Sequence, residues 1–328
     1  MKHLSRLARN AVGAATTLIF SAAMGSSAFA ADQVKVGVFP VSSSLPYFVA
    51  KERGYFADEG IETEAATLIG GPALLGGLIS GQIDVAANLV TIEGMNGNIL
   101  KPGVATYIAV NGQNAEWQME QFVVGADHPA KSIADLKGAK ILSAPGPANL
   151  AMAKAVLAAN GLKEGDYQLD QVDMGQHVGA LQAGTFDAGY TLEPAGMISV
   201  NLGATRLLEA GIISTYVLGD SSANTFAAGA ALSGEFIEER PDVAERFAKA
   251  WARAVDDIQN DTESVRKHLI ENTFTSAEIA PVIPMVNYQM VSDLSDDDLG
   301  NFQKFIDFAH QEGILKETVD VKGFLKEY

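Results

Sequence analysis

Hydrophobic positions along the chain fall into short runs that alternate between the periods of strands and helices. The β-branched run VKVGVF at 34–39 is followed by a polar loop and by YFVAKERGYF, whose apolar residues recur at helical spacing around Gly54. A second run at 61–68 leads into Gly70-Gly71-Pro72, which opens another helix that Gly81 ends. Strands that alternate with single helices predict right-handed βαβ crossovers and a mostly parallel sheet.

One unit made of a helix end, a glycine and a strand occurs twice. LISGQIDVAA at 78–87 and LQAGTFDAGY at 181–190 share Leu, Gly, an apolar residue and Asp at the same internal spacing, and 181 − 78 gives an offset of 103 positions. A repeat at this distance indicates two α/β lobes of similar plan, not a short-period solenoid. The cleft between two such lobes is the natural place for a ligand.

A polar stretch marks the passage from one lobe to the other. The segments 106–110 and 121–124 are strand-like, and the polar residues between them include Trp117. The strand and helix order then starts again at DLKGAKI, and segment 217–232 is expected to return to the first lobe. The predicted division is a signal peptide at 1–30, lobe 1 at 31–120 and 225–328, and lobe 2 at 121–224.

The end of the chain is predicted to be helical. After Pro241, apolar residues recur at helical spacing as far as Ile258. Ser295 and Asp298 resemble a capping box ahead of a second amphipathic helix, with Asp in place of the usual Glu or Gln. We expect both helices to pack on lobe 1.

The first 30 residues are predicted to be a secretory signal peptide. Lys2, Arg6 and Arg9 precede an apolar, uncharged run, and Ala28-Phe29-Ala30 is a small-x-small cleavage site. The alternative of a membrane anchor fits poorly, because the run is shorter than the roughly 20 residues that a span needs. We expect cleavage after Ala30 and a soluble, periplasmic mature chain.

Composition narrows the possible chemistry. The chain has no cysteine, which excludes disulfides, thiolate metal sites, a catalytic thiol and a lipoprotein anchor. Without the three basic residues of the signal peptide, 20 of the 23 Lys and Arg remain against 40 Asp and Glu, which argues against nucleic acid and anionic membranes as partners. HExxH, GxSxG and GxGxxG motifs and the P-loop lysine are also missing, so we predict no enzymatic activity, no cofactor and no metal site.

Ligand contacts are expected where the strands end and loops start helices. These positions are Ser42, Ser43, Ser44, Gly70, Gly71, Asn88 and Thr91 in lobe 1, Gly146, Pro147, Ala148, Asn149, Gln176 and Glu193 in lobe 2, and Trp117, Asn224 and Thr225 near the crossings. The serines are equally consistent with an N-cap and a solvated loop, and Asn149 with an ordinary cap. Amides at these helix starts suit an anionic group.

Glu193 is the acidic residue of this set, and no Lys or Arg lies in these loops. A buried carboxylate is costly unless it is paired, so either a ligand or a structural hydrogen bond should satisfy it. Trp117 is placed either to stack on a planar or cationic ligand or to cover the lobe junction. His177 is either a ligand contact or, as is more common for a lone histidine that starts a helix, a surface residue or a satisfied hydrogen-bond group. The lack of basic residues argues against a bare oxyanion such as nitrate as the ligand and favours a ligand with an amino or heteroaromatic nitrogen group.

Several segments resemble the substrate-binding proteins of ABC importers for nitrate, sulfonates, taurine and pyrimidine precursors. They are AKERGYFADEGIE, LISGQIDVAA, SIADLKGAKI, LQAGTFDAGYTLEP and DVKGFLKEY, and they span nearly all of the mature chain. The resemblance implies the two-lobed, type II-like periplasmic binding protein fold, α/β, with mostly parallel sheets flanked by helices and two crossing segments as hinge. It also implies a monomer that delivers a small organic solute, sulfonate-like or taurine-like, to permease subunits with a cytoplasmic ATPase.

Other interpretations stay open beside this one. The solute is alternatively a heteroaromatic nitrogen compound such as a thiamine pyrimidine precursor. The pyrimidine synthases of thiamine biosynthesis are similar in lobe plan, but they carry a cysteine-rich motif that this chain lacks. The ligand-sensing half of a transcription regulator would need a DNA-binding helix-turn-helix and no signal peptide, so the N-terminus excludes this class.

Overall fold

The computed structural model describes residues 30–328, so the predicted signal peptide, except for Ala30, lies outside the described residues. The strands are β1 (Asp32–Val38), β2 (Ile61–Thr67), β3 (Val85–Val90), β4 (Thr106–Gln113), β5 (Glu120–Gly125), β6 (Lys140–Ser143), β7 (Gln168–Gln171), β8 (Ala188–Leu192), β9 (Thr205–Ala210), β10 (Thr225–Leu232) and β11 (Asn287–Met290). The α-helices are α1 (Leu45–Glu52), α2 (Tyr55–Asp58), α3 (Gly71–Ile79), α4 (Thr91–Leu100), α5 (Pro147–Ala159), α6 (Met174–Gln182), α7 (Ala195–Asn201), α8 (Gly234–Glu239), α9 (Pro241–Asn260), α10 (Thr262–Val265) and α11 (Asp296–Gln311). Short 3-10 turns include Ser42–Ser44 ahead of α1, and Ser214–Leu218 forms a π-helical turn.

The strands form two mixed sheets, with orders β11-β4-β10-β3-β1-β2 and β7-β6-β8-β5-β9. We call the first sheet with its flanking helices lobe 1 and the second lobe 2. The βαβ units give parallel pairs of β1 with β2 and β3, and of β6 with β7 and β8. The expectation of mostly parallel sheets is corrected, because β10 is antiparallel to β3 and β4, β11 to β4, and β5 to β8 and β9. The strands that bring the chain into each sheet from a crossing, β5 and β10, run opposite to the βαβ strands.

The repeated unit performs the same structural task in both lobes. The Asp84 carboxylate accepts a hydrogen bond from the backbone N–H of Lys35 at 2.8 Å, and the Asp187 carboxylate accepts one from that of Lys140 at 2.7 Å. Each aspartate therefore ties the start of one strand, β3 or β8, to the neighbouring strand, β1 or β6. This equivalence explains why Asp recurs at the same place in both sequence copies.

The chain passes between the sheets twice, from β4 to β5 and from β9 to β10, and these two connections contact each other. The Ala115 N–H donates to the Ser221 carbonyl at 2.9 Å, and the Asn114 side-chain amide donates to Asn224 Oδ1 at 2.9 Å. Gly211, directly after β9, has a φ of 65°, and a Cβ there would lie 2.6 Å from Ala115 Cα. Only glycine allows the second connection to lie this close to the first.

The long C-terminal helices pack on lobe 1. Helix α9 buries one face, formed by residues no more than 3% exposed: Val243, Phe247, Trp251, Ala254 and Ile258. Phe247 stacks on Phe56 of α2 with ring centroids 4.7 Å apart. The capping box of Ser295 and Asp298 forms at the start of α11, and Phe302 of that helix lies 5.4 Å from the ring of Phe226 in β10. Across residues 30–328, no helix combines the length and hydrophobicity that a membrane span requires.

Candidate functional site

A cavity between the two sheets is lined from both lobes. Its polar lining residues are Ser43, Asn88, Asn111, Gln113, Glu120, Asn149 and Tyr190, and its apolar lining includes Phe39, Met119, Met152 and Leu192. The space between the lining atoms, mouth included, is about 560 Å³, but the centre of a water molecule fits in only about 30 Å³ of it. A ligand of more than a few atoms therefore needs the lining side chains or the lobes to move apart.

One wall of the cavity is an amide network in lobe 1. Asn111, on β4, donates through its side-chain amide to Asn88 Oδ1 at 3.0 Å and to the Ser43 carbonyl at 3.2 Å. Asn88 lies on β3 and Ser43 in the turn before α1, so the network joins three separate parts of the lobe. It fixes the backbone of Ser43 and leaves the Ser43 hydroxyl buried without a partner among the described residues.

The facing wall carries a carboxyl and a phenol from neighbouring strands of lobe 2. Glu120 starts β5 and Tyr190 lies on β8, which pairs antiparallel with β5. Both side chains are buried, and Glu120 Oε2 and the Tyr190 hydroxyl have no hydrogen-bond partner within residues 30–328. Burial raises the pKa of Glu120 to about 7, although a hydrogen bond with the Gln113 side chain works in the opposite direction. Burial, and after it the nearby Glu120 charge, raises the pKa of Tyr190 well above its usual value.

A second buried carboxyl, Glu93, joins the lobes beside the cavity. It lies in the first turn of α4, and its Oε1 accepts a hydrogen bond from the Ala148 N–H at the start of α5 at 3.4 Å, while Oε2 has no partner in the described chain. Burial raises its pKa to about 7. The Glu93 carboxyl reaches α5 only because its neighbours are glycines. A Cβ on Gly71 would lie 3.1 Å from Glu93 Cδ, and a Cβ on Gly146 would lie 3.3 Å from Glu93 Oε1. These glycines therefore serve the contact between the lobes.

Glu193 lies beside the cavity, so the structure does not place it among the lining residues, where a ligand contact was expected. Its Oε1 accepts from the Gln121 side-chain amide at 2.5 Å, and its Oε2 accepts from the Met197 N–H at 3.1 Å, in the first turn of α7. Both oxygens are thus used, and the structural hydrogen bond explains the buried carboxyl. Burial raises its pKa to about 7. Its carbonyl accepts from the Ser42 N–H at 3.1 Å, which is another contact between the lobes.

Four of the predicted site residues line the cavity: Ser43, Asn88, Ala148 and Asn149. The hydroxyls of three others donate to backbone carbonyls instead, Ser44 to Phe39, Thr91 to Phe226 and Thr225 to Gln113. These side chains stabilise the loops around the cavity, so the structure does not bring them to its lining. Ser42 likewise directs its hydroxyl to the Glu193 carbonyl at 3.3 Å.

The remaining predicted positions lie outside the lining. Gly70, with a φ of 85°, faces the side chain of Pro145 across the lobes, and a Cβ there would meet it at 3.6 Å. Pro147 and Gln176 are exposed to solvent. Trp117 is half-buried in the first crossing and packs on the core. Asn224 bonds to Asn114 and Asp298, within and beside the crossings.

Sequence reasoning missed five residues of or beside the cavity: Glu93, Asn111, Gln113, Glu120 and Tyr190. Glu93 could have been predicted in the same way as Thr91, because both lie at the start of α4, directly after a strand. Asn111, Gln113 and Glu120 belong to the polar stretch that was interpreted only as a linker. Tyr190 carried no separate signal, since an aromatic residue in an apolar strand is normally core.

The site is acidic and lacks basic groups. No Lys, Arg or His lines the cavity, and within the described part of the chain no basic side chain forms an ion pair with Glu93, Glu120 or Glu193. His177 is buried in hydrogen bonds to Thr191 Oγ1 at 2.8 Å and the Val172 carbonyl at 3.0 Å, and burial lowers its pKa to about 4. Among residues 30–328, no cluster of three acidic or histidine side chains is placed to hold a metal ion.

A family model described as NMT1/THI5 like matches residues 42–264 of the chain. A search of curated proteins found no match. Among solved structures, the chain is similar to the alkanesulfonate-binding protein SsuA from Xanthomonas axonopodis pv. citri bound to MOPS. That similarity has a TM-score of 0.71 and 19% identity, and it covers 90% of this chain and 98% of that one.

Two further structures share the fold. The periplasmic nitrate-binding protein NrtA from Synechocystis PCC 6803 has a TM-score of 0.68 and 17% identity, over 89% of this chain and 84% of that one. The desulfurization enzyme DSZB has a TM-score of 0.65 and 15% identity, over 90% of this chain and 96% of that one. At such identities these structures establish the periplasmic binding protein fold, which binding proteins and an enzyme share.

Proposed function

Because the chain belongs to the NMT1/THI5-like family, we propose that it is the periplasmic solute-binding component of an ABC importer. It captures a small organic solute between its two lobes as a monomer and delivers it to permease subunits that are driven by a cytoplasmic ATPase. The predicted signal peptide, cleaved after Ala30, supports export to the periplasm. The resemblance to SsuA and NrtA supports the same role.

The observation that carries the proposal is the cavity itself. It is lined from both lobes, and three of its side chains, Ser43, Glu120 and Tyr190, present buried polar atoms without partners among the described residues. Buried polar atoms are nearly always paired in a finished structure, so a cluster of unpaired ones supports a ligand that completes the hydrogen bonding. A ligand that touches both lobes would also favour their closed arrangement.

Two solute classes fit the scaffold. A sulfonate-like or taurine-like solute is supported by the similarity to SsuA, whose structure contains MOPS. A heteroaromatic nitrogen compound is supported by the lining, because the ionised carboxyl of Glu120 accepts hydrogen bonds from N–H donors and repels a bare oxyanion. Taurine-like compounds carry both kinds of group and satisfy both arguments.

An enzymatic role is the rival, since DSZB shares the fold. The absence of cysteine removes thiol catalysis, and the Ser43 hydroxyl in the cavity has no hydrogen bond to a base among the described residues. We therefore propose binding without turnover.

The test is a thermal-shift screen of the mature protein, residues 31–328, against sulfonates, nitrate, aminopyrimidines, amines and aromatic acids. The best hit is then titrated by calorimetry and incubated with the protein for product analysis by mass spectrometry. We expect one solute to bind per chain and to be recovered unchanged. Chemical conversion of the solute, or no binding across all classes, would contradict the proposal.

A further inference from the structure

We propose that the cavity binds an organic cation, a protonated amine or amidinium group on a small apolar body, with Glu120 as its counter-ion. This inference rests on the proposed function, because it names the charge of the solute that the same cavity captures. It sets the chain apart from the structural neighbours named for sulfonate and nitrate, which are anions.

Unpaired buried polar atoms are concentrated in this cavity. Residues 30–328 contain five buried side-chain polar atoms without a hydrogen-bond partner, and three of them line this one cavity: Ser43 Oγ, Glu120 Oε2 and the Tyr190 hydroxyl. The hydroxyls donate or accept, but an ionised Glu120 only accepts. A ligand group rich in N–H donors is therefore the complement of the charged member of the set.

Among the described residues, no basic side chain lies against Glu120 on the strands around it. Of the titratable groups on the strands beside β5, only Tyr190 of β8 interacts with Glu120. On β9, Arg206 donates to the carbonyls of His128 and Ala130, and Glu209 interacts with Tyr216 on the π-helical turn. From β4, Glu120 meets only the uncharged Gln113. No protein cation compensates an ionised Glu120 in the described chain, so a cationic ligand has no competitor there.

The rest of the cavity lining is mostly apolar. Phe39, Met119, Met152 and Leu192 belong to this part of the surface, and the methionines are adaptable in shape. An apolar body of the ligand would bury itself against these side chains while the charged end meets Glu120. A small, fully hydrated cation would gain little from such a lining.

The pH dependence of binding distinguishes a cationic ligand from an anionic one. Burial raises the pKa of Glu120 to about 7. A bound cation favours the ionised form of Glu120, so below about pH 7 its binding releases a proton from the carboxyl. The affinity for the cation therefore rises with pH, and it levels off once Glu120 is already ionised in the ligand-free protein. Between pH 5.5 and 7.5 the rise is roughly 20-fold for a single group with this pKa. An anion favours the protonated form and gives the opposite slope.

The experiment uses three isosteric probes, benzamidine, benzamide and benzoate, which differ in charge and keep it between pH 5.5 and 8. Dissociation constants are measured by calorimetry on the mature protein at pH 5.5 and at pH 8. We expect benzamidine to bind at least about tenfold more tightly than benzoate at pH 8, with an affinity that rises with pH. In Glu120→Gln, benzamidine should lose that preference and its pH dependence.

Glu193→Gln is the matched control, because it makes the same change at a buried carboxyl outside the lining. Its ratio of benzamidine to benzoate affinity and its pH slope should equal those of the wild type, whatever its stability. Benzoate binding as tightly as benzamidine, no benzamidine binding at millimolar concentration, or an unchanged slope in Glu120→Gln would overturn the proposal. If one of these results came with a sulfonate hit in the solute screen, the proposed solute-binding function would stand and only the proposed cationic ligand would be wrong.

Discussion

The buried carboxyl of Glu120 should make the ligand-free protein less stable as pH rises. Its pKa is about 7 in the folded chain, against an ordinary value of 4.5. Between these values the folded state holds a proton that the unfolded state has released, so the free energy of unfolding falls as pH rises through this window and levels off above about pH 8. The effect is the reverse of the one that a salt-bridged carboxylate produces.

Glu120→Gln isolates this contribution, because glutamine stays neutral at every pH. The difference in pKa is 7 − 4.5 = 2.5, worth about 3 kcal/mol in full, of which about 2.5 kcal/mol develops between pH 5 and pH 8. The variant should therefore gain about 2.5 kcal/mol over the wild type at pH 8 relative to pH 5. For a chain of this size, that is roughly 4 °C in Tm.

Differential scanning calorimetry at pH 5 and pH 8 measures the quantity directly. Comparing the two pH values cancels any change in packing that the substitution itself causes. Glu164→Gln is the control, since Glu164 is exposed, pairs with Lys154 at 2.6 Å and has a lowered pKa, so its removal should give no gain at pH 8. An equal Tm difference between Glu120→Gln and wild type at both pH values would refute the account of a buried, unpaired carboxyl.

Two further predictions concern the connections between the lobes. Gly211→Ala should lower the free energy of unfolding by at least about 2 kcal/mol in denaturant titration, because its Cβ would meet the Ala115 backbone at 2.6 Å. Gly219→Ala is the control, since Gly219 has a φ of 74° but no atom lies within 4 Å of its Cβ, and it should lose less stability. Equal losses in the two variants would show that the close approach to Ala115 is unimportant. Small-angle scattering should show a smaller radius of gyration when the best solute saturates the protein, and an unchanged radius would reject hinge closure without rejecting binding.

The repeated architecture was predictable because its signals are local. Strand and helix periods, left-handed glycines and the Asp in each copy act within a few residues or between neighbouring strands, and the structure uses Asp84 and Asp187 in the same way. The capping box of Ser295 and Asp298 is local in the same sense. The direction of β5 and β10 was not predictable from such signals, because it depends on where the chain re-enters each sheet.

The identity of the cavity lining depended on contacts that no local pattern encodes. Glu193 follows an apolar strand as a ligand residue should, yet Gln121, 72 positions away, and the Met197 N–H take up its oxygens. Glu120 sits one residue before Gln121, in a stretch that was interpreted as a linker. Because successive side chains of a strand point to opposite faces, Gln121 turns to Glu193 while its neighbour Glu120 lines the cavity. Choosing the right carboxyl required the register of β5 against β8.

The same placement links recognition to movement. Gln113 ends β4 and Glu120 starts β5, so the first connection between the lobes runs between two residues of the cavity lining. The Gln113 carbonyl also accepts hydrogen bonds from the hydroxyls of Ser214 at 2.8 Å and Thr225 at 3.0 Å, which belong to the second connection and to the strand after it. A solute held by Glu120 thus acts on the segment about which the lobes would turn. For this reason we expect substitutions at Glu120 to change the extent of closure as well as affinity.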